Sequence, residues 1–148
     1  MIITYEQKGH PMTTRYGKLN IQTGLWVMAG FMLYGFLLIY FRDFAPDKAA
    51  WIAGNADGAH FEARLAHVHG NLFSLLNIVF GLVLLNFKMP TFYAKWGSWL
   101  TLGGLLMPLG ILAELYLGFP PIFVIVGGIS IFAAAVMIAL GVGKSQAK

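Results

Sequence analysis

Apolar residues occur in four long stretches along the chain, and polar residues collect between them. A helix that crosses a membrane needs about 20 mostly apolar residues, and each stretch reaches that length. The apolar positions surround each predicted helix, whereas a helix of a soluble bundle has one apolar face. The pattern therefore predicts four membrane-spanning helices, at about 19–41, 65–87, 96–117 and 122–142.

Composition supports a membrane protein. Of the 148 residues only 11% are charged, compared with about 25% in a soluble domain, and the mean hydropathy is +0.71. The aromatic content of 15% argues against disorder, and the absence of Cys excludes a disulfide scaffold and a Cys-ligated metal site. We expect an all-α fold: an integral membrane four-transmembrane-helix bundle in the lipid bilayer, with residues 1–148 as a single membrane domain.

Basic residues divide the predicted loops and termini into two sides. One side has one acidic residue, Glu6, and seven basic residues: Lys8, Arg15, Lys18, Lys88, Lys95, Lys144 and Lys148. The connection 42–64 has three basic and four acidic residues, and the turn 118–121 has no charge. Short loops rich in Lys and Arg face the cytoplasm, so we expect both termini on the cytoplasmic side of a bacterial inner membrane. Because the basic residues lie at membrane boundaries and form no stripe, the net charge of +4 does not indicate a nucleic-acid partner.

The start of the second predicted span is rich in polar residues. Ionisable residues inside a span are costly and are functional candidates by default. At about 100° per residue, His67 shares a face with Arg64 and Asn71, whereas His69 points roughly 160° away, towards the face of Phe73. The two histidines therefore cannot easily bind one ion from the same helix. Each is expected to have its own role, which can also be a hydrogen bond to a neighbouring helix.

Glu114 is the only charged residue predicted inside a span. The third helix runs outward, so Glu114 lies near its outer end, where the second helix begins. His67 and His69 are therefore expected at a similar depth, with Tyr34 and Tyr116 nearby. A glutamate this close to the boundary can also simply extend its carboxylate into water.

Three kinds of site fit these residues. In a haem b site, one histidine binds the iron, an apolar slot that includes Phe73 holds the porphyrin, and Arg64 binds a propionate. In a non-haem metal site, a histidine of the second span acts with Glu114 and His60. In a site without a cofactor, the same groups form a proton relay or a substrate pocket. We favour haem b because it needs only one histidine and a large apolar surface, and the missing Cys excludes covalent attachment.

The stretch 63–71, Ala-Arg-Leu-Ala-His-Val-His-Gly-Asn, opens the second predicted span after a long loop. It resembles the entry to helix two of the small four-helix styrene oxide isomerases, and also the haem-ligating helices of haem–copper oxidases and nitric oxide reductases. The isomerase resemblance implies a homotrimer with one haem b per protomer, bound through a histidine of helix two. It also implies that the ferric haem acts as a Lewis acid on the epoxide oxygen of a small apolar substrate. The C–O bond opens, a 1,2-hydride shift follows, and an aldehyde leaves.

The family pattern can be placed on this chain in two registers. His67 takes the ligand position when the end of helix two is aligned without gaps, and His69 takes it when the loop length is kept. We prefer His67 as the metal ligand. The alternative function is a b-haem protein for electron transfer or gas binding, in which His69 or Met107 would be a second axial ligand.

Several family positions carry other residues here. The helix-two asparagine six residues after the ligand falls on Phe73 or Leu75, and the helix-three aspartate position is a glycine near Gly103. Other residues of the second and third spans are expected to replace that asparagine and that aspartate in function. The candidate catalytic residues are Asn71, Glu114 and Tyr116.

Overall fold

The computed structural model describes residues 11–145, and this part of the chain is helical without any strand. Its helices are α1 (Pro11–Asp43), α2 (Lys48–Ala53), α3 (Ala59–Asn86), α4 (Thr91–Gly104), α5 (Leu106–Leu117) and α6 (Ile122–Gly143). Four units are long and apolar enough to cross a membrane: α1, α3, α4 with α5, and α6. The predicted all-helical class with four apolar spans is confirmed. The charges expected at Glu6, Lys8 and Lys148 lie outside the described residues.

The helices extend beyond the apolar segments that predicted them. The first helix starts at Pro11, a residue favoured in the first turn, and the third follows Gly58 directly, six residues before the predicted start at 65. Hydropathy identifies only the apolar segment that fits inside a bilayer. The helix itself extends further, through polar residues, until a residue that ends the helix is reached. Helix α2 was not predicted, because six residues are too few to show a periodic pattern.

Glycines bring the backbones of α1 and α3 into direct contact. A Cβ on Gly24 would lie 2.7 Å from the carbonyl oxygen of Ser74, and one on Gly17 would lie 2.7 Å from that of Gly81. Small residues allow such close approach between helices in lipid. This contact fixes the rotation of α3 against α1, and therefore the direction in which each polar side chain of α3 points.

The third span is divided at Leu105, between α4 and α5. Pro108 causes the break, because proline lacks an N–H and its ring clashes with the carbonyl four residues earlier, at Gly104. The Leu105 amide hydrogen bonds to the Leu102 carbonyl at 3.1 Å, which is the tighter spacing of a 3₁₀ turn. Helix α6 lies directly against the break, where Gly127 faces the backbone of Met107.

A fully buried polar network joins α1, α3 and α4. The Asn20 amide group donates to the side-chain oxygen of Asn77 and to the carbonyl of Ser98, both at 3.2 Å. The Ser98 hydroxyl donates to the Asn20 side-chain oxygen at 2.5 Å. The Asn77 amide donates to the carbonyl of Thr101 at 3.1 Å. We call Asn20, Asn77, Ser98 and Thr101 the inner network; each of them is 0% exposed.

The two ends of the bundle differ in charge. The start of α1 packs against the end of α3 at Gly17 and Gly81, and the Lys144 ammonium donates to the Tyr93 hydroxyl at 2.6 Å, which joins the end of α6 to the start of α4. The described basic residues of the predicted cytoplasmic side therefore share one end, which we call the basic end. The opposite end, with α2 and the turn after α5, is called the loop end.

Candidate functional site

The predicted site residues lie in the half of the bundle near the loop end, where α1, α3 and α5 meet. The hydroxyls of Tyr34 and Tyr116 are 2.9 Å apart and share a hydrogen bond between α1 and α5. The rings of Tyr34 and His67 have their centroids 6.4 Å apart. The structure thus brings together Tyr34, Tyr116 and His67, three of the residues expected at one depth from the predicted topology.

His67 is packed into the interface between α1 and α3. Its ring edge faces the backbone of Gly35, since a Cβ there would lie 2.7 Å from Cε1, 3.3 Å from Nε2 and 3.4 Å from Nδ1. The Asn71 amide donates to the His67 carbonyl at 2.9 Å and stays 3.5 Å from both ring nitrogens. The Cε1 edge of the ring therefore packs against α1, and the Asn71 amide lies beside the ring, so the space next to both nitrogens is limited.

His69 lies on the other side of the buried face of α3 and has a different environment. Its Nδ1 is 2.9 Å from the Leu65 carbonyl oxygen. A carbonyl only accepts, so Nδ1 carries the proton and Nε2 keeps a free lone pair. Metal-ligating histidines usually donate their second nitrogen in this way. The buried ring of Phe73 meets the imidazole edge to face, with centroids 5.9 Å apart.

The metal site predicted from histidines and Glu114 is not assembled. Within residues 11–145, no three His, Asp or Glu side chains are close enough to hold a metal ion. The Glu114 side chain is exposed, and His60 stacks on Trp51 with ring centroids 4.8 Å apart. His60 Nδ1 also donates to the Trp51 carbonyl at 3.1 Å. His60 therefore attaches α2 to α3, which explains why it does not join the other histidines.

Arg64 is exposed at the loop end and donates to the side-chain oxygen of Asn55. It lies five residues before His69, which places it about 140° away round α3. The two side chains therefore leave the helix on different sides. The sequence does not reveal Asn55 as a partner of Arg64, because the two residues are nine positions apart, with a loop and the start of α3 between them.

A cleft of about 260 Å³ opens between α1 and α5. It is lined by Val27, Gly30, Phe31, Tyr34, Leu109 and Leu112. Five of these residues are apolar, so the cleft fits a small apolar molecule. Asn71 does not line this cleft, and neither does Glu114.

Comparison with protein-family models, with curated proteins and with solved structures gives no match. Two positions were not singled out from the sequence: Gly35, which packs against His67 in the candidate site, and Asn20, which belongs to the inner network. Asn20 is a polar residue near the start of a span, a signal that points to a buried partner, whereas nothing in the sequence distinguishes Gly35 from the other 17 glycines.

Proposed function

We propose that the chain is an integral membrane protein of a bacterial inner membrane, with both termini in the cytoplasm. Large apolar side chains cover the outside of the helices; Trp26, Leu33 and Phe132 are each about 70% exposed. Lipid would cover this surface, which is unfavourable in water. The charge difference between the basic end and the loop end supports the orientation. Alkaline phosphatase fused after Ser145 should be inactive, whereas phosphatase inserted at Asn55 should be active.

We further propose that the protein binds haem b and is an epoxide-to-aldehyde isomerase similar to the styrene oxide isomerases. The observation that carries the haem proposal is the hydrogen bond from His69 Nδ1 to the Leu65 carbonyl, which leaves Nε2 free as a ligand. We therefore favour His69 as the iron ligand over His67, whose Cε1 edge packs against Gly35 and whose nitrogens lie close to α1. Phe73 supplies an aromatic edge beside the ligand. Assembly into a homotrimer is part of this proposal and rests on the resemblance alone.

Ferric haem, when bound, supplies a Lewis acid for the epoxide oxygen. The residues of the chain hold and protect the reactants. His69 is oriented by its bond to Leu65, so its imidazole stays in the tautomer that binds iron. The apolar helices around the site exclude water, which favours rearrangement to an aldehyde over hydrolysis to a diol. In the Tyr34–Tyr116 pair one hydroxyl donates to the other, so one O–H is left to donate to a substrate oxygen only if His67, beside the pair, is the iron ligand.

The role of the Tyr34–Tyr116 pair depends on which histidine binds the iron. The pair lies beside His67, on the side of α3 away from His69. With iron on His67, the tyrosines and the 260 Å³ cleft would adjoin the reacting centre. With iron on His69, they hold α1 against α5. The redox alternative gains no support from Met107, whose sulfur packs against α6 beside Gly128.

The experiment is a visible absorption spectrum of the detergent-purified protein and three single variants, followed by pyridine extraction of the pigment. We expect a Soret band from wild type, its loss in His69→Ala, and its retention in His67→Ala. His60→Ala is the matched control, because His60 is engaged by Trp51 at the same end. If His67→Ala loses haem and His69→Ala keeps it, the iron ligand is His67, as the alignment of helix two without gaps favours.

Activity is measured separately by conversion of styrene oxide to phenylacetaldehyde. Wild-type protein should form the aldehyde, and its Soret band should shift on addition of azide or epoxide, because a haem held by one histidine would leave a coordination position for them. A haem spectrum that these ligands leave unchanged would contradict the isomerase. Colourless protein from haem-replete cells would contradict haem binding altogether.

A further inference from the structure

A second cleft, of about 390 Å³, lies at the loop end between α1 and α3. It is lined by Leu38, Ile39, Arg42, Asn55, His60 and Arg64. None of these residues is acidic. The cleft is separate from the apolar cleft between α1 and α5, with which it shares no lining residue.

The polar part of this cleft presents two guanidinium groups from different helices. Arg42 donates through Nε and Nη2 to the carboxylate of Asp43, at 2.9 and 2.7 Å, which leaves Nη1 available. Arg64 donates through Nη1 to Asn55, which leaves Nε and Nη2 available. Guanidinium stays charged at every physiological pH. With one carboxylate beside two guanidinium groups, the cleft keeps an excess of positive charge.

The apolar part of the cleft lies deeper in the bundle. Leu38 precedes Arg42 by four residues on α1, which is about 6 Å along the helix axis. Ile39 is 44% exposed and continues the same apolar wall. Positive charge at the boundary of the span and apolar surface one turn deeper match the two parts of a phospholipid, an anionic headgroup and an acyl chain.

We infer that this cleft binds the phosphate group of an anionic phospholipid, with an acyl chain along Leu38 and Ile39. Arginine binds phosphate oxygens through charge-assisted hydrogen bonds, often two at a time. The inference rests on the proposed membrane insertion and is independent of haem. A haem propionate offers similar anionic oxygens, but a haem on His69 would lie about 140° round α3 from Arg64, so the lipid is the favoured ligand.

The test is native mass spectrometry of the purified protein titrated with dioleoyl phosphatidylglycerol. Wild type is compared with Arg42→Gln/Arg64→Gln. The matched control is Lys88→Gln/Lys95→Gln, which removes the same charge from exposed positions at the basic end. Arg42→Lys/Arg64→Lys keeps the charge and removes the bidentate geometry. Recovery of each protein from carbonate-washed membranes tests insertion itself, so a failure of the proposed location is recognised before lipid binding is measured.

Each arginine should contribute about fivefold to lipid affinity, since a hydrogen bond donated to a phosphate oxygen inside the cleft is worth about 1 kcal/mol, whereas Lys88 and Lys95 do not line the cleft. We expect the glutamine pair to weaken binding about 25-fold, the lysine pair to retain part of it, and the control pair to change it less than about twofold. Equal weakening by the control, or unchanged binding by the glutamine pair, would overturn the inference.

Two further arms distinguish the sources of the anion. Glycerol 3-phosphate should displace the lipid poorly, because it lacks the chain that Leu38 and Ile39 would hold; displacement as effective as that by whole lipid would show a free-phosphate site instead. Haem content is measured in the same variants. If the glutamine pair lowers haem content and leaves lipid binding unchanged, the cleft holds a propionate and the lipid inference is wrong.

Discussion

Polar side chains inside the spans form two groups, which differ in how many of their hydrogen-bonding atoms have a partner. In the inner network, Asn20 and Asn77 are 0% exposed and both bond to other helices. Near the loop end, the His67 ring has no hydrogen-bond partner closer than 3.5 Å among the described residues, and His69 uses one nitrogen of two. Buried polar groups in lipid must be paired, and the first group meets this requirement, whereas the second has unpaired hydrogen-bonding atoms, which the proposed function assigns to a ligand.

The difference also shows in what surrounds each group. Backbone contacts at Gly17 and Gly24 flank Asn20 on α1, so the inner network lies where the helices approach most closely. His69 is partly exposed and Tyr116 is exposed. A ligand, a lipid or a second protomer can reach these side chains, whereas nothing can enter the inner network without separating α1 from α3.

The largest effect on stability is expected from Asn77→Leu. It removes the bonds to Asn20 and to the Thr101 carbonyl and leaves buried partners unsatisfied, so we expect a loss of about 2–3 kcal/mol. Unfolding in detergent, followed by circular dichroism, measures this change. Asn86→Leu is the matched control, because Asn86 is exposed and bonds only to its own helix. Equal losses in the two variants would mean that the inner network does not stabilise the fold.

A smaller effect is expected from Tyr34→Phe, which removes one hydrogen bond between α1 and α5. A single bond of this kind contributes about 1 kcal/mol. Tyr116→Phe should cost the same, and the double variant should cost no more than either, because one bond is lost in all three. Tyr40→Phe, at an exposed position on α1, should be neutral. Additive losses would contradict a direct bond between the two hydroxyls.

The smallest effect on stability is expected from Glu114→Gln. The carboxylate is exposed, and the described residues offer it no hydrogen bond or ion pair, so the change should stay within about 0.5 kcal/mol. If Glu114 acts on substrate, aldehyde formation falls while the melting temperature stays the same. Glu62→Gln, at the start of α3, is the control for lost charge. A drop in expression without any change in turnover would remove Glu114 from the candidate site.

Hydropathy and charge in the sequence were sufficient to predict four apolar helices and to group Arg15, Lys18, Lys88, Lys95 and Lys144 at one end. Helical periodicity also separated His67 from His69 correctly, because that separation depends on one helix alone. The inner network could not be predicted, since Asn20 and Ser98 are 78 residues apart and meet only when helix rotation is known. For the same reason the sequence could not show that the His67 ring edge faces Gly35.

The break at Leu105 has a mechanical consequence for the third span. Helix α4 carries Ser98 and Thr101, and α5 carries Tyr116 and one wall of the apolar cleft. Pro108 has no N–H to donate to the Gly104 carbonyl, so the backbone hydrogen bonding between α4 and α5 is interrupted. The position of α5 therefore depends on its packing against α6 at Gly110 and Gly127 and on the Tyr34–Tyr116 bond, and not on a continuous helix through the span. Substitutions in that packing would change the cleft wall without disturbing α4, which the inner network holds.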